Sequence, residues 1–218
     1  MDSTKPIDSS LVLSYLGLRK AIGIIGIALP FVLVVGKVLL ESPGIQPSIS
    51  DYYYTVMRDV FVGSLCAIGV FLMSYRGYTR HDDVVGNLAC VFAIGVALFP
   101  TTPDKNPTTI ELMVGSAHYC FAAAFFLTLA YFCLVLFRKT DPSKPMTNRK
   151  RQRNGVYVTC GTIILVCIVL LAIYAIFLRG SSIDHLDPIF WLEATAIMSF
   201  GISWLTKGEG ILKDKDQT

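Results

Sequence analysis

Long apolar stretches alternate with short polar segments along this chain. Residues 21–40 and 155–178 are each long enough to cross about 30 Å of hydrocarbon as a helix. Shorter apolar stretches between and after them complete the pattern, which predicts helices at about 20–41, 54–75, 84–101, 113–137, 155–178 and 188–206. The predicted fold is therefore an all-α, integral membrane bundle of six helices.

The composition supports a membrane protein, because 53% of the residues are hydrophobic and only 16% are charged. We expect one membrane domain over 20–206, preceded by a cytoplasmic segment 1–19 and followed by a cytoplasmic tail 207–218. No small-x-small cleavage site follows the first apolar stretch, so it is not predicted to be a cleaved signal peptide.

Basic residues are distributed unevenly between the two predicted faces of the membrane. Of the 19 lysines and arginines, 15 fall on the side of the N-terminus and four on the other. Positive loops stay in the cytoplasm. Both termini are therefore predicted to be cytoplasmic. The expected location is the plasma (inner) membrane of a bacterium.

The remaining composition argues against several site classes. The basic run 148–154 lies beside a predicted span, where contact with anionic lipid heads explains it better than nucleic-acid binding. All six cysteines lie in apolar stretches and no CxxC motif occurs, so no metal, disulfide or cofactor is predicted. Glycines within the spans, including Gly23, Gly26 and Gly63, are expected to allow close helix packing.

Ionisable residues gather near the predicted outer ends of the helices. They share a depth of roughly 5–9 Å below the outer interface, at about 1.5 Å per helical residue. Ionisable groups at such depth usually face the interior of a bundle. The predicted ligand-binding set is Ser50, Asp51, Arg58 and Asp59 around the start of helix 2, His118 in helix 4 and Glu193 in helix 6.

Two interpretations of this layer remain open. In one, helix 2 turns Asp51, Arg58 and Asp59 into the bundle to form a pocket that opens outward. In the other, the charges only pair with each other, for example Arg58 with Glu193 or Asp59, and fix the helix packing.

Catalytic chemistry has limited support in this pattern. A three-histidine zinc site is excluded by the predicted topology, because His81 lies on the cytoplasmic side and His118 and His185 lie on the other. His118 with Asp51 remains a candidate acid/base pair. Ser116 does not face His118, since residues two apart on a helix diverge by about 200°.

Short motifs resemble those of small six-helix membrane proteins of the DRAM type and related bacterial membrane proteins with a domain of unknown function. They are "SISD" before helix 2, Asn87 in helix 3, His118 opening helix 4 and "WLEATAIMSFGISWL" in helix 6. The resemblance spans about residues 20–206 and implies a six-helix fold linked to lipid remodelling. It carries over Ser50, Asp51, His118 and Glu193 as site residues. The tyrosines and Arg58-Asp59 after "SISD" depart from the family pattern.

The first functional hypothesis is a protein that binds, and in one variant modifies, a lipid or amphiphile headgroup. The alternative is a non-enzymatic structural or regulatory subunit, and the third is a small-molecule transporter, which would need broken helices with ion-binding groups at mid-depth. The expected partners are membrane lipids, with a second copy of the chain or another membrane protein as a further alternative, and no nucleic acid.

Overall fold

The apolar stretches of the sequence form helices in the computed structural model, which describes residues 9–75, 77, 79–140 and 146–212, with the backbone alone for 9–14. The structure is 77% helix, and no strand occurs in the ranges described. The predicted all-α fold with six helices is confirmed. The helices are α1 (Ser9–Leu40), α2 (Arg58–Met73), α3 (Arg80–Leu98), α4 (Thr109–Tyr131), α5 (Asn148–Ile173) and α6 (Pro188–Lys207).

Five of these helical segments are long and apolar enough to cross a membrane: Tyr15–Leu40, Arg80–Leu98, Thr109–Leu136, Asn148–Leu178 and Asp184–Lys207. The exception is α2, whose 16 residues span about 24 Å. A separate 3₁₀ segment, Ser50–Tyr54, precedes α2. The number of apolar helices supports a multi-pass membrane protein, while the side on which the termini lie stays a prediction.

The helix boundaries differ from the prediction mainly at their starts. Helix α1 begins at Ser9 and continues through residue 20, so the structure shows no break at the predicted boundary between 1–19 and the membrane domain. Residues 1–8 and 213–218 of the predicted terminal segments lie outside the described residues. Helix α4 begins with a capping box, in which Thr108 accepts from the Glu111 N–H and Glu111 bonds back to Thr108.

The helices form a ring in which each packs on its neighbours in sequence and α6 returns to α1. Glycines allow the last contact: a Cβ atom on Gly201 would lie 2.8 Å from the carbonyl oxygen of Gly23, and one on Gly26 would lie 3.3 Å from the Cα of Gly201. The packing role predicted for Gly23 and Gly26 is confirmed. It is wrong for Gly63, which faces open space.

The ring has two ends that carry different polar groups. We call the end where α1 begins and α6 finishes the terminal end. At the other end, here named the loop end, the chain makes three connections, 41–57, 99–108 and 179–187. The predicted ligand-binding residues belong to the loop end.

Candidate functional site

The α1–α2 connection is bonded to α6 at the loop end. The N–H of Phe190 donates to the carbonyl oxygen of Pro47 at 3.0 Å. Within the connection, the Ser48 hydroxyl accepts from the N–H of Asp51 at 3.0 Å, near the start of the 3₁₀ segment. These bonds hold residues 47–51 against the first turn of α6.

Glu193 is the side chain of α6 that fixes this connection most directly. Its Oε2 accepts a hydrogen bond from the N–H of Ile49 at 2.8 Å. The alternative interpretation expected an ion pair with Arg58, and none is present between these two described residues. Glu193 therefore uses its carboxylate on the backbone of the loop.

Asp51 bonds the α3–α4 connection. The Thr101 hydroxyl donates to its Oδ1 at 2.7 Å, and the Tyr54 hydroxyl donates to the carbonyl oxygen of Thr101. Partial burial, with the nearby Tyr53 and Asp51 as smaller causes, raises the pKa of Tyr54, so its phenol stays a hydrogen-bond donor. The start of the 3₁₀ segment is thus hydrogen bonded to two neighbouring elements. Ile49, just before it, bonds Glu193 of α6, and Asp51 bonds Thr101 in residues 99–108.

His118 is buried on α4, with 2% of its surface exposed. Its Nδ1 donates to the carbonyl oxygen of Phe99 at 2.6 Å, where α3 has just ended. No hydrogen bond joins His118 to Asp51 among the described residues, so the candidate acid/base pair is not assembled in this structure. Gly115 lies one turn earlier, and a Cβ there would come within 2.0 Å of the Thr102 hydroxyl.

Arg58 and Asp59 are exposed at the start of α2. Arg58 donates from Nε to the carbonyl oxygen of Tyr53 at 3.2 Å, and its guanidinium lies 4.9 Å from the centre of the Tyr53 ring. The prediction that both residues share an inward face with Asp51 is wrong. That prediction assumed one continuous helix, whereas residues 55–57 separate the 3₁₀ segment from α2.

Lys37 is the ionisable residue that α1 contributes to the loop end. It is 5% exposed, and its Nζ donates to the carbonyl oxygens of Pro43 at 3.3 Å and Gly44 at 3.2 Å. Gly44 has a φ of +99°, which favours glycine. Lys37 therefore closes the turn that follows α1.

A cavity of about 30 Å³ lies inside the ring beneath the 3₁₀ segment. Its wall is apolar except for Ser50 and Glu193, and it has contributions from α1, α2, α3, α4 and α6. Leu29, Phe61, Val96, Phe125 and Phe200 are among the lining residues. The volume suits about two water molecules. Of the six predicted ligand-binding residues, two line this cavity and two more, Asp51 and His118, hold neighbouring segments.

The metal and disulfide predictions can be compared with the described residues. No group of three or more His, Cys, Asp or Glu side chains there is placed to hold a metal ion. The six cysteines are free, although Cys120 is exposed rather than buried. His81 bonds the Tyr131 hydroxyl at 2.9 Å at the terminal end, whereas His118 lies at the loop end.

Sequence reasoning missed a second group of polar residues at the terminal end. Asp82 is completely buried and forms an ion pair with Lys139. Arg19 and Lys207 lie near an aromatic group that includes Trp204. The sequence does place many basic residues on this side of the chain. On sequence alone, they predict only which face of the membrane is cytoplasmic.

The search for similar proteins gave no match among family models, curated proteins or solved structures. The resemblance to DRAM-type proteins therefore stays a prediction.

Proposed function

We propose that this chain is a multi-pass membrane protein that binds an amphiphile at the loop end, with the polar group on Glu193 and the apolar part in the cavity. The supporting observation is a carboxylate that shares the lining of an apolar cavity with one hydroxyl group, that of Ser50. Small-molecule sites have the same kind of lining, with few polar groups in an apolar wall, although they are larger, at about 300–1,000 Å³.

The chemistry of the lining favours a head that donates hydrogen bonds. Glu193 offers carboxylate oxygens and Ser50 a hydroxyl, and no cation lines the cavity. An amine or hydroxyl head therefore fits better than a phosphate. Arg58 and Asp59, which the sequence placed in the ligand set, lie outside this cavity, and Asp51 and His118 support its surroundings.

Binding requires the 3₁₀ segment to move, because about 30 Å³ is too small for a lipid head. The bond from Ile49 to Glu193 is the contact that must break. A head group that donates to Glu193 replaces the Ile49 N–H as partner, which offsets part of the cost of opening.

A cross-linking experiment tests this proposal. The protein in phosphatidylcholine nanodiscs is exposed to a photoreactive long-chain primary amine and to the matching alcohol. We expect Glu193→Gln, which keeps an acceptor oxygen for Ile49 but removes the ionisable carboxyl group, to reduce amine labelling about tenfold and alcohol labelling less. The matched control is Asp59→Asn, an exposed acid of the same end, and equal labelling of the two variants contradicts the proposal.

A second candidate function is favoured by a specific observation: the buried Lys37 and His118 bond carbonyl oxygens, and Glu193 already bonds the loop backbone. In that case the polar layer only fixes the connections of a structural or regulatory subunit. Absence of labelling by either probe in the unmodified protein, together with a loss of stability in Glu193→Leu, would favour this function.

The proposed setting follows the charge distribution. Fifteen of the 19 basic residues are predicted to lie on the side of the termini, which supports cytoplasmic termini. Attachment of a reactive thiol probe at each face of intact cells tests this orientation, with Thr218→Cys expected to be protected from an impermeant reagent.

A further inference from the structure

An aromatic group at the terminal end joins three elements of the ring. The Trp204 ring of α6 lies 5.0 Å from Phe137, which follows α4, and 5.7 Å from Tyr75, which follows α2, measured between ring centres. Both contacts are edge-on, a favoured arrangement for aromatic pairs. Trp204 is only 1% exposed, so this aromatic group is buried at the terminal end of the bundle.

Cations lie around this aromatic group. The Arg19 guanidinium lies 4.2 Å from the Tyr15 ring centre and 5.7 Å from that of Tyr75. The Lys207 Nζ lies 5.5 Å from the Phe137 ring centre. Gly208 brings the two cations together, because a Cβ there would lie 3.0 Å from the Cβ of Arg19. We call Arg19, Tyr75, Phe137, Lys150, Trp204 and Lys207 the basic-aromatic cluster.

Positive charge in this cluster exceeds the negative charge near it. Lys150 and Arg153 add their fields to that of Arg19 at Lys207, and Asp82 opposes them. Glu209 lies 3.9 Å from Arg153 and offsets part of the charge of that residue. Asp82 is already engaged by Lys139. Within the described part of the chain, Lys207 makes no hydrogen bond or ion pair, although it is partly buried. A partly buried cation without a counter-ion is costly.

Unpartnered polar atoms also concentrate here. The buried side-chain atoms that lack a hydrogen-bond partner, as far as the structure describes the chain, are Arg19 Nε, Asn154 Oδ1 and Trp204 Nε1. All three belong to the terminal end. Two of them, on Arg19 and Trp204, are donors within the basic-aromatic cluster, and buried donors are normally satisfied. The missing acceptor must carry negative charge to balance Lys207 as well.

We propose that the basic-aromatic cluster binds a phosphate group, with Arg19, Lys207 and the Trp204 N–H as its donors. A phosphate presents several acceptor oxygens and at least one negative charge, which matches these donors better than a single carbonyl oxygen does. The apolar spans Tyr15–Leu40 and Asp184–Lys207 begin and end at this level. Lipid phosphates lie at that depth in a bilayer, so an anionic phospholipid head is the first source and free phosphate the second.

Tryptophan fluorescence gives a direct readout of this site. The chain has two tryptophans, and Trp191→Phe removes the exposed one, leaving Trp204 as the only emitter. The probes, added to protein in uncharged detergent, are dihexanoyl phosphatidylglycerol, dihexanoyl phosphatidylcholine and inorganic phosphate. We expect saturable changes in Trp204 emission with phosphatidylglycerol. A response to inorganic phosphate at similar concentration assigns the site to free phosphate instead, and supports the phosphate chemistry equally.

Substitution then assigns the response to the cluster. Lys207→Met is expected to weaken binding about tenfold, while Lys207→Arg restores it and Arg151→Met, which removes an exposed charge of the same end, leaves it unchanged. Without probe, Lys207→Met should unfold at the same or a higher temperature than the parent, because it removes an unpaired cation. The proposal is overturned if no probe alters Trp204 emission in the parent, an outcome that needs no variant to fold. It is equally overturned if Lys207→Met and Arg151→Met respond alike.

Discussion

At the loop end, Lys37, Glu193 and His118 each hydrogen bond the backbone, whereas at the terminal end three buried polar atoms of the described chain have no partner. Both ends bury polar side chains. The two ends differ in whether the protein supplies a hydrogen-bond partner for every one of these buried polar atoms. At the loop end the backbone of the connections supplies them, and at the terminal end Arg19 Nε and Trp204 Nε1 have none.

This difference separates two uses of a buried polar group. A satisfied group contributes about 0.5–1.5 kcal/mol to stability, whereas an unsatisfied one costs about 1–3 kcal/mol. The loop end is therefore expected to lose stability when its polar groups are removed. At the terminal end, where Lys139 already satisfies Asp82, removal of the unpaired cation Lys207 is expected to cost little stability or to increase it, unless a ligand is present. Substitutions at the two ends can test this contrast.

The largest effect is expected at Glu193. Glu193→Leu leaves the N–H of Ile49, which is 2% exposed, without its acceptor and should lower the free energy of unfolding by about 2–3 kcal/mol. Glu193→Gln keeps an acceptor oxygen and should lower it by less than about 1 kcal/mol. Unfolding of purified protein in mixed detergent micelles measures both. Equal losses would show that the bond to Ile49 is unimportant.

The next effect is expected at Gly115, where α4 supports the α3–α4 connection. A Cβ there would lie 2.0 Å from the Thr102 hydroxyl and 2.8 Å from the Thr102 backbone nitrogen, so Gly115→Ala should destabilise by about 1–3 kcal/mol. The control is Gly63→Ala within α2, where a Cβ meets no atom within 4 Å. It should stabilise the helix by about 0.5–1 kcal/mol. Similar melting temperatures for both variants would contradict the close contact.

The helices could be predicted from sequence because long apolar stretches depend on local composition. The start of α2 could not, and the reason lies in Glu41 and Thr55. Their side chains accept hydrogen bonds from the N–H groups of Val56 at 3.0 Å and Met57 at 3.1 Å. Side-chain bonds of this kind compete with helical ones, so the chain forms a 3₁₀ segment and resumes as α2 only at Arg58.

The depth predicted for each ionisable residue along its helix located part of the site. It brought Asp51, His118 and Glu193 to one end of the bundle, which the structure also does. Their partners were not predictable, because most are backbone carbonyl and N–H groups that any sequence carries. The basic-aromatic cluster was missed for another reason. Its contacts depend on how α1 and α6 are rotated about their axes. The close approach of Gly208 to Arg19 reflects that rotation, and only the three-dimensional structure shows it.

A smaller effect is expected at Thr101. Thr101→Val keeps the shape of this buried side chain but removes the donor to Asp51, and should cost about 1 kcal/mol of stability. The control Thr162→Val lies at an exposed position of α5 and should have little effect. A larger loss in the control than in Thr101→Val would remove Asp51 from the set of groups that hold the loop end together.

The smallest effect is expected at Arg58, and it separates the two interpretations of the loop end. If Arg58 paired with Glu193, then Arg58→Ala would leave a buried carboxylate unpaired and resemble Glu193→Leu. In the structure Arg58 is exposed, and its side-chain hydrogen bond and ring contact are both with Tyr53. Its removal should therefore shift the melting temperature by less than about 2 °C and leave labelling by the long-chain amine unchanged. A shift as large as that of Glu193→Leu would instead support an ion pair between Arg58 and Glu193, and with it a role for these charges in helix packing.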